Sequence, residues 1–356
     1  MTDKMRSTLI DAHLHFILKS IDANKGMGSS AFYSRLRHPV GGWAEAYPET
    51  TGYIIPTLLK AEKQLGISLK SYVQSCIYWL SEEVQMSSGA FPFLYSGNEK
   101  ESLFNSAQIA LGFLAYTEHF PSDEKILLSE LDLLNWFVEN VDKVDADIHY
   151  KKDFVPSYYT RVVWPCLLLA KKYKHRVLKD KAFHLLDVII NRSLGEGDFP
   201  RDAGFSGDKA FSHTIAYTIR GLLEINELYP NEEREEILNR LVQGQMKAID
   251  EAGGKMAGSY DLNWKGDYSF RCLTGEYQWA IIFLRMYGRG GEQVFLQYAE
   301  RLLEEDFSSN ILFPIGAVYG SKPFWKSYMR FKAPNWAAKF GLDALLLHKK
   351  LQDDKA

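Results

Sequence analysis

A repeat of roughly 55 to 60 residues is the feature that most constrains the fold of this chain. Six polar-to-apolar transitions recur along its 356 residues, and each opens an apolar stretch of helical length. The anchor positions are Thr51, Ser106, Thr160, Thr214, Thr274 and Trp336, at intervals of 55, 54, 54, 60 and 62 residues. Self-similarity at such a period indicates one supersecondary unit used six times.

Each unit alternates an amphipathic helix with a nearly all-apolar one. A helix with one apolar face lies on a surface, whereas a helix that is apolar all round is buried. The pattern therefore predicts an all-α (α/α)6 barrel, or toroid, of six helical hairpins. An open solenoid is the alternative, but it needs polar caps at both ends, and the last unit here is as apolar as the first. No stretch resembles a linker, so we expect one domain over residues 1–356.

The loops of the repeat indicate where a site would lie. The loop that enters each apolar helix is long and rich in Gly and aromatic residues, and the loop that leaves it is short. All six inner helices should therefore begin at the same end of the barrel. Unpaired N–H groups and positive helix ends would converge there, which favours polyhydroxylated or anionic ligands.

Composition narrows the function classes. The net charge of −3 shows no excess of positive charge of the kind that binds nucleic acid. The aromatic share of 14% fits either a large core or a cleft whose Trp and Tyr faces stack on sugar rings. Three widely spaced Cys without a CxxC pattern argue against disulfides and zinc, and we expect no metal and no cofactor. The polar N-terminus and the lack of a long apolar run predict a cytoplasmic protein without a signal peptide or membrane span.

Four residues are candidates for catalysis. The loop at 41–53 carries Glu45 and Glu49 just before the first inner helix, where a carboxylate either caps the helix or acts as a general acid or base. His213, Tyr217 and Arg220 follow an i, i+4, i+7 spacing and share one helix face. Such a face suits chemistry on a uronate: Arg would pair with the carboxylate, and His or Tyr would exchange the proton at C5. Alternatively, the three side chains form a polar network that links inner helices.

A larger set of candidates for sugar binding lies at or near the helix starts and loops. These residues are Tyr47, Asn105, Gln108, Tyr159, Arg161, Arg220, Trp264, Glu276, Asn335, Trp336 and Lys339. Of these residues, Trp264 and Trp336 alternatively belong to the core, and Arg220 alternatively belongs to a polar network that links inner helices.

Five short motifs give the chain a family resemblance. They are Tyr-Pro-Glu-Thr-Thr-Gly-Tyr (47–53), Ser-His-Thr-Ile-Ala-Tyr-Thr-Ile-Arg-Gly (212–221), Cys-Leu-Thr-Gly (272–275), Gly-Ala-Val-Tyr-Gly-Ser-Lys-Pro (316–323) and Asn-Trp-Ala-Ala-Lys-Phe (335–340). The chain thereby resembles a toroid family encoded in bacterial exopolysaccharide or capsule clusters and similar to six-hairpin glycosidases. It departs from the family pattern at Glu276, where Asn is expected. The resemblance implies a role in polysaccharide metabolism.

These observations favour a glycoside hydrolase acting on an acidic poly- or oligosaccharide. Hydrolysis generally uses two carboxyl groups, here Glu49 with Glu45, Asp261 or Glu276. A polysaccharide lyase or uronate epimerase using His213 or Tyr217 with Arg220 stays open, as does a non-catalytic glycan-binding protein.

Overall fold

The computed structural model describes residues 1–94, 100–143, 154–205, 209–303 and 313–354. Twelve α-helices lie in these ranges: α1 (Asp3–Ala23), α2 (Pro48–Leu65), α3 (Lys70–Trp79), α4 (Leu103–His119), α5 (Glu124–Asn140), α6 (Thr160–Lys172), α7 (Arg176–Ile189), α8 (Ser212–Leu228), α9 (Glu232–Glu251), α10 (Leu273–Gly290), α11 (Gln293–Leu303) and α12 (Asn335–Asp353). Each of the six anchors lies within the first four residues of an even-numbered helix.

The even-numbered helices form a closed inner ring. Along the chain each packs against the next, and α12 packs against α2. The odd-numbered helices lie outside, with α3, α5, α7, α9 and α11 each packed on the inner helix that precedes it and α1 packed on α12. The first and last helices thus form the sixth hairpin. The predicted (α/α)6 barrel is confirmed, and the open solenoid is excluded by the α12–α2 contact.

Burial follows the predicted contrast between the rings. In α4 the buried positions run through most of the helix, from Leu103 to Thr117. In α9 the buried residues recur on one face, at Ile237, Leu241 and Ala248, and charged side chains cover the other. Within the ranges given above, no helix is both long and apolar enough to cross a membrane.

Seven short strands join the long loops and form no central sheet among the described residues. They are β1 (Phe32–Tyr33), β2 (Lys209–Phe211), β3 (Ser259–Asp261), β4 (Gly266–Asp267), β5 (Arg271–Cys272), β6 (Ser321–Lys322) and β7 (Ala333–Pro334). All pairings are antiparallel: β1 with β7, β2 with β3, β3 with β4, and β5 with β6. Apart from the β3–β4 hairpin, these pairs connect loops distant in sequence, and they lie at the end of the barrel at which the inner helices begin.

Candidate active site

A cavity of about 410 Å³ opens where the inner helices begin. Its volume is in the usual range for a small-ligand site. Most of its described lining is aromatic: Tyr47, Glu49, Tyr53, Phe93, Phe104, Asn105, Tyr158, Phe205, His213, Thr214, Tyr217, Tyr328, Met329 and Trp336. Flat aromatic faces suit the C–H faces of sugar rings, and a few polar groups among them can fix a ligand's orientation.

Glu49 is the one carboxyl group in the described lining of this cavity. Pro48 occupies the first position of α2, so Glu49 falls in the first turn, where the helix dipole favours a negative charge. The hydroxyl of Tyr47 is hydrogen-bonded to Glu49 and to Asn105. Burial raises the pKa of Glu49 to about 7, against the Tyr47 hydrogen bond and the charge of Arg161, which both lower it. This carboxyl group therefore exchanges its proton near neutral pH.

His213 lies in the first turn of α8 and faces the same cavity. The amide Nε2 of Gln278 is hydrogen-bonded to Nδ1 of His213. Because an amide nitrogen donates and does not accept, Nδ1 is the acceptor and the ring proton resides on Nε2. Burial, and secondly the positive charge of Arg161, lower the pKa of His213 to about 3. The imidazole is therefore neutral at physiological pH and offers an N–H donor. Its ring packs against Tyr217 with centroids 4.4 Å apart.

Tyr217, predicted as a catalytic residue, lies in the wall of the cavity. Burial, and secondly the neighbouring Glu49 carboxyl, raise the pKa of its hydroxyl far above the usual range. Its phenol is hydrogen-bonded to Tyr53, whose pKa is also raised by burial. Both phenols stay protonated at neutral pH, so they can orient a ligand but cannot serve as bases.

Three predicted cationic ligands lie in a second cavity. Arg161, Arg220 and Lys339 line a space of about 490 Å³ that also reaches Lys60 in the last turns of α2. Tyr53 lines both cavities and stands between them. The structure thus places one group of candidates in the lining of the first cavity and the three cations in the lining of the second, although the charge of Arg161 still acts on Glu49 and His213. The first group is Glu49, Asn105, His213, Tyr217, Tyr47 and Trp336.

Three other candidates lie inside the protein rather than in the lining of either cavity. Gln108 joins α4 to α6: its Oε1 accepts from the guanidinium of Arg161, at 2.8 Å from Nη2, and its Nε2 donates to the Arg161 carbonyl at 3.0 Å. Tyr159 is fully buried in the core. Asn335 donates from Nδ2 to the hydroxyl of Ser20 on α1 at 2.6 Å. The polar groups of Gln108 and Asn335 therefore connect neighbouring helices.

The carboxylates expected to partner Glu49 lie elsewhere. Glu45 is exposed and outside the described lining of the cavity. Asp261 accepts two backbone N–H groups in the turn between β3 and β4. Glu276 is buried and forms a two-pronged pair with Arg271, at 2.6 Å from Nε to Oε1. The described part of the cavity therefore contains no second carboxylate.

The predicted aromatic platforms divide between the cavity and the loops. Trp336 lines the cavity, and its indole N–H donates to the hydroxyl of Tyr328 at 3.0 Å. Trp264 instead donates to the carbonyl of Asp198 at 3.1 Å and fastens two loops to each other. It lies outside the described lining.

Sequence reasoning missed Gln278 and Tyr328. Gln278 is the one strongly polar residue in the stretch 277–284 of α10, which is otherwise apolar or aromatic. This contrast could have marked it as a residue of the site. Tyr328 lies in the long loop between α11 and α12, where no periodicity marks it. Among the described residues, no group of three or more metal-binding side chains is found.

Solved structures with the same fold include proteins that act on sugars. A sugar epimerase from a ruminal bacterium is 12% identical with a TM-score of 0.72, over 96% of this chain and 98% of its own. Cellobiose 2-epimerase from Bacillus thermoamylovorans is 12% identical with a TM-score of 0.70, over 97% and 99%. A mutant unsaturated glucuronyl hydrolase from Streptococcus agalactiae is 10% identical with a TM-score of 0.70, over 98% and 92%. No protein-family model and no curated protein matches the sequence.

Proposed function

We propose that this protein is a carbohydrate-active enzyme that enolises a small reducing sugar, as an isomerase or epimerase does. One observation carries the proposal: a carboxyl group with a pKa near 7 and a neutral imidazole N–H face the same aromatic cavity. A glutamate base beside a neutral histidine donor is an established arrangement for proton transfer next to a carbonyl. The sugar epimerases that share the fold support the same class of reaction.

The two side chains have complementary roles in this reaction. The Glu49 carboxylate removes the proton from the carbon next to the carbonyl of the open-chain sugar. The electron pair of that C–H bond forms the C=C bond of an enediolate, the π electrons of the carbonyl move onto its oxygen, and that oxygen accepts a hydrogen bond from Nε2 of His213. Return of the proton from Glu49 to the neighbouring carbon, with transfer of the adjacent hydroxyl proton to the enediolate oxygen, gives the ketose isomer. Return of the proton to the same carbon, after rotation about the bond to the next carbon has turned the opposite face toward Glu49, gives the epimer. No redox partner is needed, because the sugar is rearranged without net oxidation.

The lining favours an uncharged sugar. The described walls contain no Lys or Arg, and burying a uronate carboxylate without a cation is costly. The expected acidic substrate therefore stays a prediction, and a neutral mono- or disaccharide is the better fit to this cavity. We propose that it derives from exopolysaccharide metabolism, as the resemblance of the sequence motifs implies.

The test is exchange of hydrogen with solvent. Glucose, mannose, galactose, cellobiose and lactose are each incubated with the protein in D₂O and followed by proton NMR. Enolisation predicts loss of the C2–H signal together with a new isomer or epimer. The proposal fails if no sugar of the panel exchanges its C2–H proton while the protein stays folded.

Matched variants locate the chemistry. Glu49→Gln should abolish exchange, because the amide cannot accept the proton. Glu139→Gln, an exposed substitution of the same kind on α5, should leave exchange unchanged. Thermal melting of both variants checks that they are folded.

Glycoside hydrolysis is the second candidate, since a carboxyl group kept protonated by an aromatic wall also suits a general acid. It is favoured if new reducing ends appear from an oligosaccharide and no deuterium enters the product. An unsaturated uronate, detected by its ultraviolet absorbance, would instead indicate a lyase. If a glycan binds and none of these products forms, the protein is a glycan-binding protein.

A further inference from the structure

The second cavity, at the far end of the barrel, is rich in positive charge. It opens beside the later turns of the inner helices and has a volume of about 490 Å³. Its described lining contains the cations Lys60, Arg161, Lys171, Lys172, Arg220 and Lys339. Only two carboxylates, Glu118 and Asp343, share that lining.

Three of these cations form ion pairs with neighbouring carboxylates. Lys339 pairs with Asp343 at 2.7 Å, and Arg220 pairs with Glu224 at 2.6 Å. Lys172 pairs with the fully buried Glu130 at 2.5 Å. Each pair has a net charge of about zero, so these three cations add little to the positive charge of the cavity.

Arg161 forms no ion pair with a described residue, and the carboxylates whose charges act on it from farther away, Glu49 and Glu224, lie outside the described lining of this cavity. Its side chain is 3% exposed, and its guanidinium donates from Nε and Nη2 to a neutral acceptor, Oε1 of Gln108, at 3.2 and 2.8 Å. Its other contacts are with the rings of Trp164 and Tyr217, 4.9 and 5.3 Å from the guanidinium carbon. A buried cation is costly unless a charge compensates it. A guanidinium is also the side chain best shaped to bind a planar pair of oxygens.

The charges of the second cavity that are not in ion pairs indicate the charge of the ligand that it would bind. Setting the three pairs aside leaves Arg161, Lys60 and Lys171 against Glu118, an excess of two positive charges. A phosphate monoester carries about two negative charges at neutral pH, whereas a uronate carries one. Apolar side chains of Leu111, Leu114 and Phe340 line the same space and can contact an organic group. We propose that this cavity binds a small phosphorylated metabolite, with its phosphate on Arg161 between Lys60 and Lys171.

Calorimetric titration tests the proposal with four probes: glucose 6-phosphate, inorganic phosphate, glucuronate and glucose. Both phosphates should bind, glucuronate at least about tenfold more weakly, and glucose not at all. Tighter binding of the ester than of inorganic phosphate identifies a phosphorylated sugar as the source, and equal binding identifies free phosphate. The proposal is overturned if neither phosphate binds with a Kd below about 10 mM, or if glucuronate binds as tightly.

Variants and footprinting test the location. The double variant Lys60→Gln, Lys171→Gln changes two exposed side chains and should weaken phosphate binding about tenfold or more. The matched control Lys143→Gln, Lys247→Gln, also exposed and outside the cavity, should not. Phosphate should protect Lys60 and Lys171, but not Lys247, from acetylation detected by mass spectrometry. Equal binding by the double variant, or no protection of either lysine, would place any bound phosphate elsewhere.

The inference does not rest on the proposed sugar reaction. Glu49→Gln removes the proposed base from the first cavity and also removes a negative charge that acts on Arg161, so it should not weaken phosphate binding. Loss of turnover with intact phosphate binding, or the reverse, therefore separates failure of one assignment from failure of the other. Arg161→Lys keeps the charge and removes the two-pronged donor, and should weaken phosphate binding even where the fold is retained.

Discussion

The direction of the pH dependence of activity distinguishes the two roles open to Glu49. Burial places the pKa of this carboxyl group at about 7. As a base it must be ionised, so kcat/KM should rise through about pH 7 and level off above it. His213, with a pKa of about 3, stays neutral across this range and therefore adds no further rise or fall to the pH profile of kcat/KM. The measurement is kcat/KM for the exchanging sugar from pH 5.5 to 8.5.

The opposite slope would contradict the assignment. A general acid must be protonated, so kcat/KM falling through about pH 7 would assign Glu49 to hydrolysis. Glu49→Asp serves as the control, because it retains a carboxyl group while shortening the side chain. Its kcat should fall, and its pH profile should keep a single rising limb.

Gln278 should act as a positioning residue through the tautomer of His213. Its Nε2 donates to Nδ1 and thereby keeps the proton of the ring on Nε2. Gln278→Glu replaces that donor with an acceptor, so the ring proton moves to Nδ1 and Nε2 loses its donor function. Removal of one such donor typically costs about 10²-fold or more in kcat. We expect this loss in kcat with little change in KM.

A purely structural role for Gln278 would give a different result. Nitrogen-15 NMR of His213 reports the tautomer directly, and it should change in Gln278→Glu. Gln278→Met removes the hydrogen bond without supplying an acceptor, and should lose less kcat than Gln278→Glu. Equal losses in both variants with an unchanged tautomer would contradict the positioning role.

At the scale of helices, the inner ring depends on close backbone contact between α2 and α4. A Cβ atom at Gly52 would lie 2.4 Å from the Cα of Ile109, and one at Gly112 would lie 2.3 Å from the carbonyl oxygen of Gly52. Neither backbone neighbour can move without shifting its helix. Gly52→Ala should therefore lower the free energy of unfolding by about 1–3 kcal/mol, as overpacking does, measured by urea denaturation.

Gly288→Ala is the matched control. Gly288 also lies within an inner helix, but a Cβ there would meet only the flexible end of Leu351, at 3.3 Å. Alanine is favoured over glycine in a helix, so this variant should be as stable as the parent or about 0.5–1 kcal/mol more stable. Equal effects of the two substitutions would show that helix propensity, rather than close contact, determines the outcome.

The same helices show how far the sequence could predict the site. Spacing and polarity predicted the ring and the end at which its helices begin, because both depend on burial averaged over whole helices. They could not predict which polar residue at a helix start faces inward. Successive residues of a helix are turned by about 100°, so Asn335 contacts α1 while its neighbour Trp336 lines the cavity.

The distance of a residue along its helix from the first cavity was the second feature that the sequence did not predict. Arg220 shares a face with His213, as the i, i+7 spacing predicted. Seven residues also advance a helix by about 10 Å, which places Arg220 beside the second cavity. Periodicity reports the face of a helix, whereas the division of the barrel into two cavities depends on the packing of Tyr53 between them.

For the whole molecule, a buried histidine helps to hold the first helix in the ring. His13 of α1 bonds through Nδ1 to the carbonyl of Gly316 and through Nε2 to the hydroxyl of Tyr277 on α10, both at 2.9 Å. These bonds connect the first helix to an inner helix and to the loop that precedes α12. Burial lowers the pKa of His13 to about 4, against the hydrogen bond to Gly316, which raises it.

This depressed pKa makes the stability of the barrel sensitive to acid. The unfolded chain protonates His13 below its ordinary pKa of 6.5, whereas the folded protein resists protonation until about pH 4. The contribution of His13 is therefore fully present above pH 6.5 and is lost as the pH falls toward 4. His213 acts in the same direction, and Glu49, whose pKa is raised, acts in the opposite one.

His13→Gln isolates the contribution of one histidine, because glutamine keeps hydrogen-bonding groups and does not titrate. The variant should be less stable than the parent at pH 7, since its side chain fits the site less well. Between pH 7 and pH 5 the difference in free energy of unfolding should shrink by about 2 kcal/mol, because only the parent loses the His13 contribution. His15→Gln, an exposed substitution of the same kind on the same helix, is the matched control. Urea denaturation at four pH values measures both, and a constant difference between His13→Gln and the parent would mean that His13 does not couple the closure of the ring to pH.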